Sequence, residues 1–268
     1  MSPLPDTSTL KSLDIPIPSK EIRYRVVSSH IDEQFFMESG QRCAGDIIKA
    51  LNQSGIDARD FRNILDFGCG CSRVLRFLIP FLPQARFYGC DIDNIAIEWS
   101  RKHVPAAQFA LVPHLPPSAY PREHFDFIYG LSVFSHLDLA RSILWLDELH
   151  QMLRPDGLLL VTVQGAVALD AVRKPASEPK PKKRSKWWFR RGRRHVENKI
   201  SKEQEEYFDT TGFLFLENIP DKVLPDWYQT AIYKEHFAKL VFQSGFSILR
   251  YDPQGMTGWQ DLLLLKKR

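Results

Sequence analysis

The stretch from Asn63 to Asp93 constrains this chain more than any other, because it holds two apolar runs that each stop at an acid. Ile64 and Leu65 end at Asp66, after which Gly68 and Gly70 interrupt the chain and Val74, Leu75, Leu78 and Ile79 recur at helical spacing. The pattern predicts a strand, a tight turn and a helix that begins near Arg73. Gly68 and Gly70 can take backbone angles closed to other residues, and neither has a side chain to hold a ligand away from the main chain. The free amides of the following helix point at whatever fills the turn. A second apolar run, Phe87 to Cys90, ends in Asp91. That is about twenty residues past the glycines, where such folds place a carboxylate against ribose hydroxyls.

The third glycine position separates two candidate ligands. A dinucleotide fingerprint needs Gly-x-Gly-x-x-Gly, whereas Arg73 stands third here, so close helix approach over a pyrophosphate is unsupported and NAD is disfavoured. The string Asp66-Phe67-Gly68-Cys69-Gly70, with the second acid Asp91, resembles motifs I and II of the S-adenosylmethionine-dependent methyltransferases of Rossmann-like fold. Phe125 to Gly130 followed by Leu131-Ser132-Val133-Phe134-Ser135-His136-Leu137 is similar to that family's fourth motif. Leu153-Arg154-Pro155-Asp156-Gly157-Leu158 is similar to its turn into the fifth strand.

The resemblance implies S-adenosylmethionine as cofactor, contacted by Asp66, Phe67, Gly68, Cys69, Gly70, Asp91, Ile92 and Leu131. By it the glycine turn lies along the methionine part, Asp66 helps hold the charged end, and Asp91 accepts from the two ribose hydroxyls. Many relatives read Gly-Cys-Gly-x-Gly-Arg; Ser72 replaces the last glycine here, and a serine there can start the helix. Relatives also often end the third strand near an acid that meets the adenine, and none stands in Phe109 to Val112.

The expected fold is α/β, a Rossmann-like seven-stranded methyltransferase sheet, mostly parallel with a C-terminal antiparallel hairpin and an insertion after the fifth strand. The strands after Asp91 are expected at Gln108 to Val112, Phe125 to Leu131, Leu158 to Val163, Phe246 to Tyr251 and Asp261 to Leu265. A helix between the fourth and fifth carries Ile143, Leu144, Leu146, Leu149 and Met152 on its buried side. With 268 residues there is room for one such domain with an insertion. The expected division is a flexible tail over 1–20, an N-terminal helical segment over 21–58, a cofactor-binding core over 59–165 and 228–268, and a basic insertion or lid over 166–227. Within the helical segment, Tyr24 to Val27 reads as a short strand or extended arm, Ser28 or Ser29 caps a helix, Gly40 breaks it, and the helices roof the cofactor or serve as a structural lead-in. Glu205 to Ile219 reads as a hairpin over the active site. The ending, through Gly258-Trp259-Gln260-Asp261-Leu262, is similar to bacterial methyltransferases of the glycan and small-molecule type.

No apolar run approaches the roughly eighteen to twenty residues that span a bilayer, and Met1 to Lys20 does not resemble a secretion signal, so a cytoplasmic protein is expected. Cys43, Cys69, Cys71 and Cys90 do not form a disulfide framework. Cys-x-Cys in a glycine turn lacks zinc spacing, and small residues packed under the turn are the simpler reading, so no metal is expected. Between Arg173 and Arg194 stand eleven Lys and Arg against one acid, Glu178, a local charge of +10 in a chain of net +4, so the remainder is −6. Trp187, Trp188 and Phe189 sit among those cations. That mixture suits a solvated loop, an anionic membrane surface or a lipid-linked substrate, or, less well, nucleic acid.

For the chemistry, methyl transfer to a hydroxyl of a sugar, glycan or small metabolite needs a base, and His136, just past the fourth strand at the sheet's carboxyl edge, is the candidate. The alternative is a histidine that only packs and hydrogen-bonds within its loop. Tyr228 and His236 are further acceptor-side candidates. Two other readings stay open: a nucleic-acid methyltransferase, and a non-catalytic module that keeps the cofactor fold and holds a membrane or nucleic acid through the basic segment. The oligomeric state is not legible.

Overall fold

The computed structural model describes residues 10–27, 32–173, 200–217 and 229–268. Its centre is a parallel run of β1 (Asn63–Phe67), β2 (Arg86–Asp91), β3 (Ala107–Leu111), β4 (Phe125–Gly130) and β5 (Leu153–Val163), joined by β8 (Phe246–Met256) and β9 (Gln260–Lys267). The strand order is β3-β2-β1-β4-β5-β9-β8, with β9 antiparallel to both neighbours. The expected sheet is therefore present. β1 and β4 are parallel neighbours, but successive strands are added outward from them in opposite directions, a switch point that in such sheets leaves a crevice at the carboxyl ends of the strands.

Alternation along the strands sorts the core into two layers. Ile64, Leu158 and Leu160 face α2 (Glu33–Gln53), α3 (Leu75–Phe81) and the inner side of α4 (Asn94–His103). Leu65, Phe67, Leu159, Val161 and Val163 face α5 (Leu139–Met152) and α8 (Glu235–Phe242). β4 is buried along its whole length, as expected of a central parallel strand covered on both faces. On α5, Trp145, Leu146, Leu149 and Met152 turn inward, while Ile143 and Leu144 are each 46% exposed and leave the expected buried face.

The N-terminal expectations need correction. Tyr24 to Val27 belongs to a helix, α1 (Lys20–Val27), and α2 runs unbroken through Gly40, capped by Asp32, whose side chain accepts from the Phe35 amide. Ser28 and Ser29 lie outside the described residues. Gly40 serves packing: a Cβ there would fall 2.2 Å from the Arg73 carbonyl oxygen and 3.0 Å from Phe77. The glycine lets α2 touch the backbone that leads into α3, at a helix-propensity cost of about 1 kcal/mol. Of the tail expected to be flexible, residues 1–9 lie outside the described set, but residues 10–19 are seated. Leu10 is buried, the Leu13 amide donates to the Arg76 carbonyl at 2.7 Å, and Gln41 Nε2 donates to the Leu10 carbonyl at 2.9 Å. Arg76 is the reason. Its guanidinium is buried and takes strap acceptors, Ser12 Oγ at 3.0 Å and the Ile15 carbonyl at 2.8 Å.

After β5 the chain enters α6 (Ala166–Arg173), and beyond the undescribed stretch it forms α7 (Lys202–Thr211), β6 (Phe213–Leu216) and β7 (Thr230–Tyr233). The hairpin expected within 205–219 is instead helix followed by strand. Ser201 and Gln204 form a capping box that starts α7, and Gly212 ends it at φ +81°. β6 pairs antiparallel with β7 as a separate two-stranded sheet, bridged to the main sheet between Gln164 and Ile232. No helix among the described residues is long and apolar enough to cross a membrane.

The contact at Gly40 is testable. Gly40→Ala should destabilise the fold by roughly 1 to 3 kcal/mol, because the methyl group meets backbone that cannot turn aside; urea unfolding followed by circular dichroism measures it, and an unchanged midpoint would refute the packing argument.

Candidate active site

β1 stops at Phe67, and the chain turns back across the end of β2. Gly68 and Cys69 donate their amides to the Cys90 carbonyl at 2.8 and 2.9 Å, and the Gly70 amide donates to Asp91 Oδ2 at 2.7 Å. Asp91 Oδ1 accepts from the Asp93 amide at 2.9 Å. Gly68 and Gly70 sit at φ +80° and +50°, angles that favour glycine. Both are also crowded: a Cβ on Gly68 would lie 2.3 Å from Val133, and one on Gly70 would lie 2.8 Å from Val26. The turn is thus flanked by the loop after β4 and by α1.

Ser72 does not start α3 as expected. It holds φ +60°, and its hydroxyl donates to Ser100 Oγ at 2.9 Å, so it ties the turn to α4 while Val74 occupies the cap position without a side-chain bond. Arg73, in the place of a third glycine, reaches back to α2, donating to Ser39 Oγ at 3.1 Å.

The expected cofactor residues gather at this edge. Asp66 is buried on the α2 side of β1, Phe67 packs against Trp145 at 4.9 Å between ring centroids, and Cys69 is buried beneath the turn. Ile92 and Leu131 are half-buried at the rim. Burial pushes the Asp66 carboxyl up to about 8, against the opposing pull of the Tyr129 hydroxyl and Arg73; the neighbouring Asp91 pushes the same way as burial. The Tyr129 hydroxyl is itself buried without a well-formed hydrogen bond. Burial also raises Asp91, while the amides of Asp93 and Gly70 draw it down. Cys69, Cys71 and Cys90 are pushed well up by burial and stay as thiols. Among the described residues no cluster of His, Cys, Asp or Glu could hold a metal ion.

The sequence did not disclose Arg25 and Asp93, which join at 2.5 Å from Arg25 Nε to Asp93 Oδ2. Asp93 also caps α4 by accepting from the Ile95 amide at 3.0 Å. An acid immediately before a helix was the available signal for the cap; nothing local pointed to Arg25, far away in the chain.

On the other flank, the loop after β4 reaches the small sheet. Ser135 accepts at its carbonyl from the Ala231 amide at 2.8 Å, and His136 Nδ1 lies 2.5 Å from the Gln229 carbonyl. A carbonyl only accepts, so Nδ1 carries a proton. His236 is not brought to His136. It is exposed on the first turn of α8, at the far end of β7, beside Gly212. Tyr228 lies outside the described residues.

These residues fit S-adenosylmethionine. A desolvated carboxyl such as Asp66 ionises readily only beside a cation, and the methionine end of the cofactor carries one. Asp91 accepts from the Gly70 amide on Oδ2 and from the Asp93 amide on Oδ1, and two carboxylate oxygens have lone pairs beyond these for hydroxyl donors.

Comparison with known proteins agrees. Residues 65–159 match the family model of a methyltransferase domain. That match runs from β1 into β5, across the glycine turn and Asp91, and marks a methyltransferase domain in the core. A malonyl-[acyl-carrier protein] O-methyltransferase of Halalkalibacterium halodurans is 30% identical over 134 residues, which are 47% of this chain and 48% of that protein. The chain thus spans about half the length of that curated relative. Two solved structures share the fold: the PH0226 protein of Pyrococcus horikoshii, with TM-score 0.57 and 14% identity over 92% of this chain and 98% of that one, and a SAM-dependent methyltransferase of Aquifex aeolicus, with TM-score 0.53 and 13% identity over 94% and 100%.

The buried acid of the methyltransferase domain gives a pH test. Unfolded, Asp66 ionises near the ordinary value of about 4; folded, it holds its proton up to about 8. Across that window the folded state binds more protons, so the contribution to stability is full below about pH 4, falls as pH rises, and is gone above about pH 8. Asp66→Asn should flatten the decline of melting temperature between those limits, as read by scanning calorimetry of the protein without cofactor; an identical slope in both proteins would contradict the assignment.

Proposed function

We propose that the chain moves a methyl group from S-adenosylmethionine to an oxygen of a small acceptor, most simply a hydroxyl of a sugar, glycan or other metabolite. The observation that carries this is the pair of acids, Asp66 and Asp91, flanking a glycine turn at the carboxyl ends of adjacent strands of the methyltransferase domain. The name of the Halalkalibacterium halodurans relative, an O-methyltransferase, supports oxygen as the receiving atom.

When bound, the cofactor supplies a sulfonium-activated methyl group whose departure leaves a neutral thioether. The chain's work is therefore alignment, which can contribute on the order of 7 to 11 kcal/mol. Asp91 holds the ribose end, the glycine turn lets backbone come close, and Asp66 pairs with the charged end. An acceptor hydroxyl must also lose its proton, and His136 takes it on Nε2, with Nδ1 fixed by the Gln229 carbonyl. Tyr228 and His236 remain acceptor-side candidates of lower rank, His236 because it stands at the opposite end of β7.

Titration calorimetry with S-adenosylhomocysteine tests the cofactor reading directly. Binding to the wild-type chain is expected, and Asp91→Ala should weaken it by about tenfold or more, the loss expected when a charged acceptor is removed; absence of any binding to folded wild-type protein would sink the proposal. His136→Ala should lower transfer of labelled methyl into a cell extract by about a hundredfold while leaving S-adenosylhomocysteine affinity nearly unchanged. An equally active variant would remove His136 from the mechanism.

A second reading concerns where the protein works. The cations of 173–194 against a remainder of net −6 favour an anionic membrane surface or a lipid-linked acceptor, with about 1 kcal/mol for each nearby cation. Residues 174–194 lie outside the described set. Arg173 itself belongs to α6 and pairs with Glu205 at 2.7 Å, so it is spent within the fold. Vesicles of phosphatidylcholine with phosphatidylserine should sediment the full chain but not a variant lacking Lys174 to Arg194. Equal sedimentation of both would refute this reading, and salt-sensitive binding to duplex DNA instead would favour the nucleic-acid alternative.

A further inference from the structure

Few buried side-chain polar atoms of the described residues lack a hydrogen-bond partner, and one of them, Gln164 Oε1, stands one residue beyond β5 at the carboxyl edge of the sheet. Its surroundings make the omission informative, because the polar groups around it are satisfied. Thr162, two residues earlier and so on the same face, accepts at Oγ1 from the Ser132 amide at 2.8 Å and donates to Gln260 Oε1 at 2.7 Å. Ser132 Oγ donates to the same Gln260 oxygen at 3.0 Å, and Gln260 Nε2 reaches Ser135 Oγ at 3.4 Å. Asp261 stands opposite Val163, so continuing the antiparallel register sets Gln260 opposite Gln164 on one face.

The backbone of Gln164 is pinned as well. Its carbonyl accepts from the Tyr233 amide at 2.8 Å, and it bridges to Ile232. β7 and the residue before it therefore make three contacts at this edge: Gln229 with His136, Ala231 with Ser135, and Ile232 with Gln164. Ser132 in the same cluster holds φ +60°, a left-handed angle that costs a serine energy and is retained where the surroundings require it. An amide oxygen taken out of water with no donor is likewise unfavourable, and such orphans are kept where a ligand completes them.

We infer that Gln164 is an acceptor-recognition residue: its Oε1 accepts a hydrogen bond from a hydroxyl or N–H of the molecule to be methylated. This rests on the methyltransferase reading and deepens it by naming the acceptor's chemistry. A group whose only polar atoms at that point are carboxylate or phosphate oxygens has no proton to give and is disfavoured there. Gln164 does not handle the transferred methyl; it orients the molecule that receives it, in front of His136.

The test uses the full chain with Gln164→Leu and Gln164→Met, each followed by three measurements: S-adenosylhomocysteine affinity, melting temperature without ligand, and transfer from labelled S-adenosylmethionine into the small-molecule fraction of a cell extract over a range of extract concentrations. Product affinity should stay within about twofold, because the residue lies off the glycine turn. Melting temperature should rise by about 2 °C or more, since an apolar side chain removes the unpaired oxygen. Transfer at low extract concentration should fall about tenfold or more and recover in part as extract is raised, since a site built to pair with a polar group discriminates strongly once that group is lost. Unchanged transfer in both variants, or a fall in melting temperature in both, would overturn the inference. Wild-type protein that neither binds the product nor transfers methyl would sink the methyltransferase reading itself and this inference with it.

Discussion

One hydrogen bond joins the two halves of the cofactor site: the Gly70 amide on Asp91 Oδ2, at 2.7 Å. Without it the turn after β1 is tied to the end of β2 only by the ladder below and by main-chain bonds to the Cys90 carbonyl. With it, and with the Gly68 and Cys69 amides on the Cys90 carbonyl, the turn is laid across the strand end in a single geometry. Asp91 is thereby committed twice, holding two amides while keeping capacity for hydroxyl donors. This explains why the shift in Asp91 is a contest: burial drives its carboxyl up, and the amides that shape the turn hold it down.

The sequence made the parallel core readable because each β-turn-α unit carries its own punctuation. Apolar runs end in Asp66 and Asp91, glycines follow, and a helical period resumes; such signals are local and survive any rearrangement elsewhere. The features that were misread depend on partners distant in the chain. Gly40 looks like a helix breaker until the Arg73 carbonyl is found where its Cβ would be. Residues 10–19 look like a proline-rich tail until the buried Arg76 claims their oxygens. Glu205 to Ile219 has the aromatics of a hairpin, but the Ser201–Gln204 capping box starts a helix just before it, and β6 finds its partner beyond residue 228. Local pattern suffices for the parallel core, and tertiary contact decides the elements outside it.

The site divides along the same line. Asp66, the glycines and Asp91 could be singled out because the expected fingerprint has a fixed spacing along one β-turn-α-β unit. The proposed acceptor side could not, because it draws on the loop after β4, the ends of β5 and β9, and β7, segments up to 128 residues apart with no spacing rule among them. His136 was singled out only because it lies close to a strand end that was itself legible. Gln164 and Gln260 carry no motif at all.

That assembly also shows how the chain returning from the insertion is seated on the core. Residues 229–233 meet it through main-chain groups, the Ala231 amide on the Ser135 carbonyl, the Tyr233 amide on the Gln164 carbonyl and the Gln229 carbonyl at His136, and through side chains, with the Tyr233 hydroxyl 3.2 Å from Ser142 Oγ and its ring against Phe242. The loop that receives two of those main-chain groups also sets Val133 against Gly68. A change in how β7 is seated reaches the glycine turn by way of residues 132 to 136, and the clamp of Ser132 and Thr162 on Gln260 resists it. The glycine turn is in this way buffered from changes around β7, as its single geometry requires if the proposed methyl donor is to be held in place.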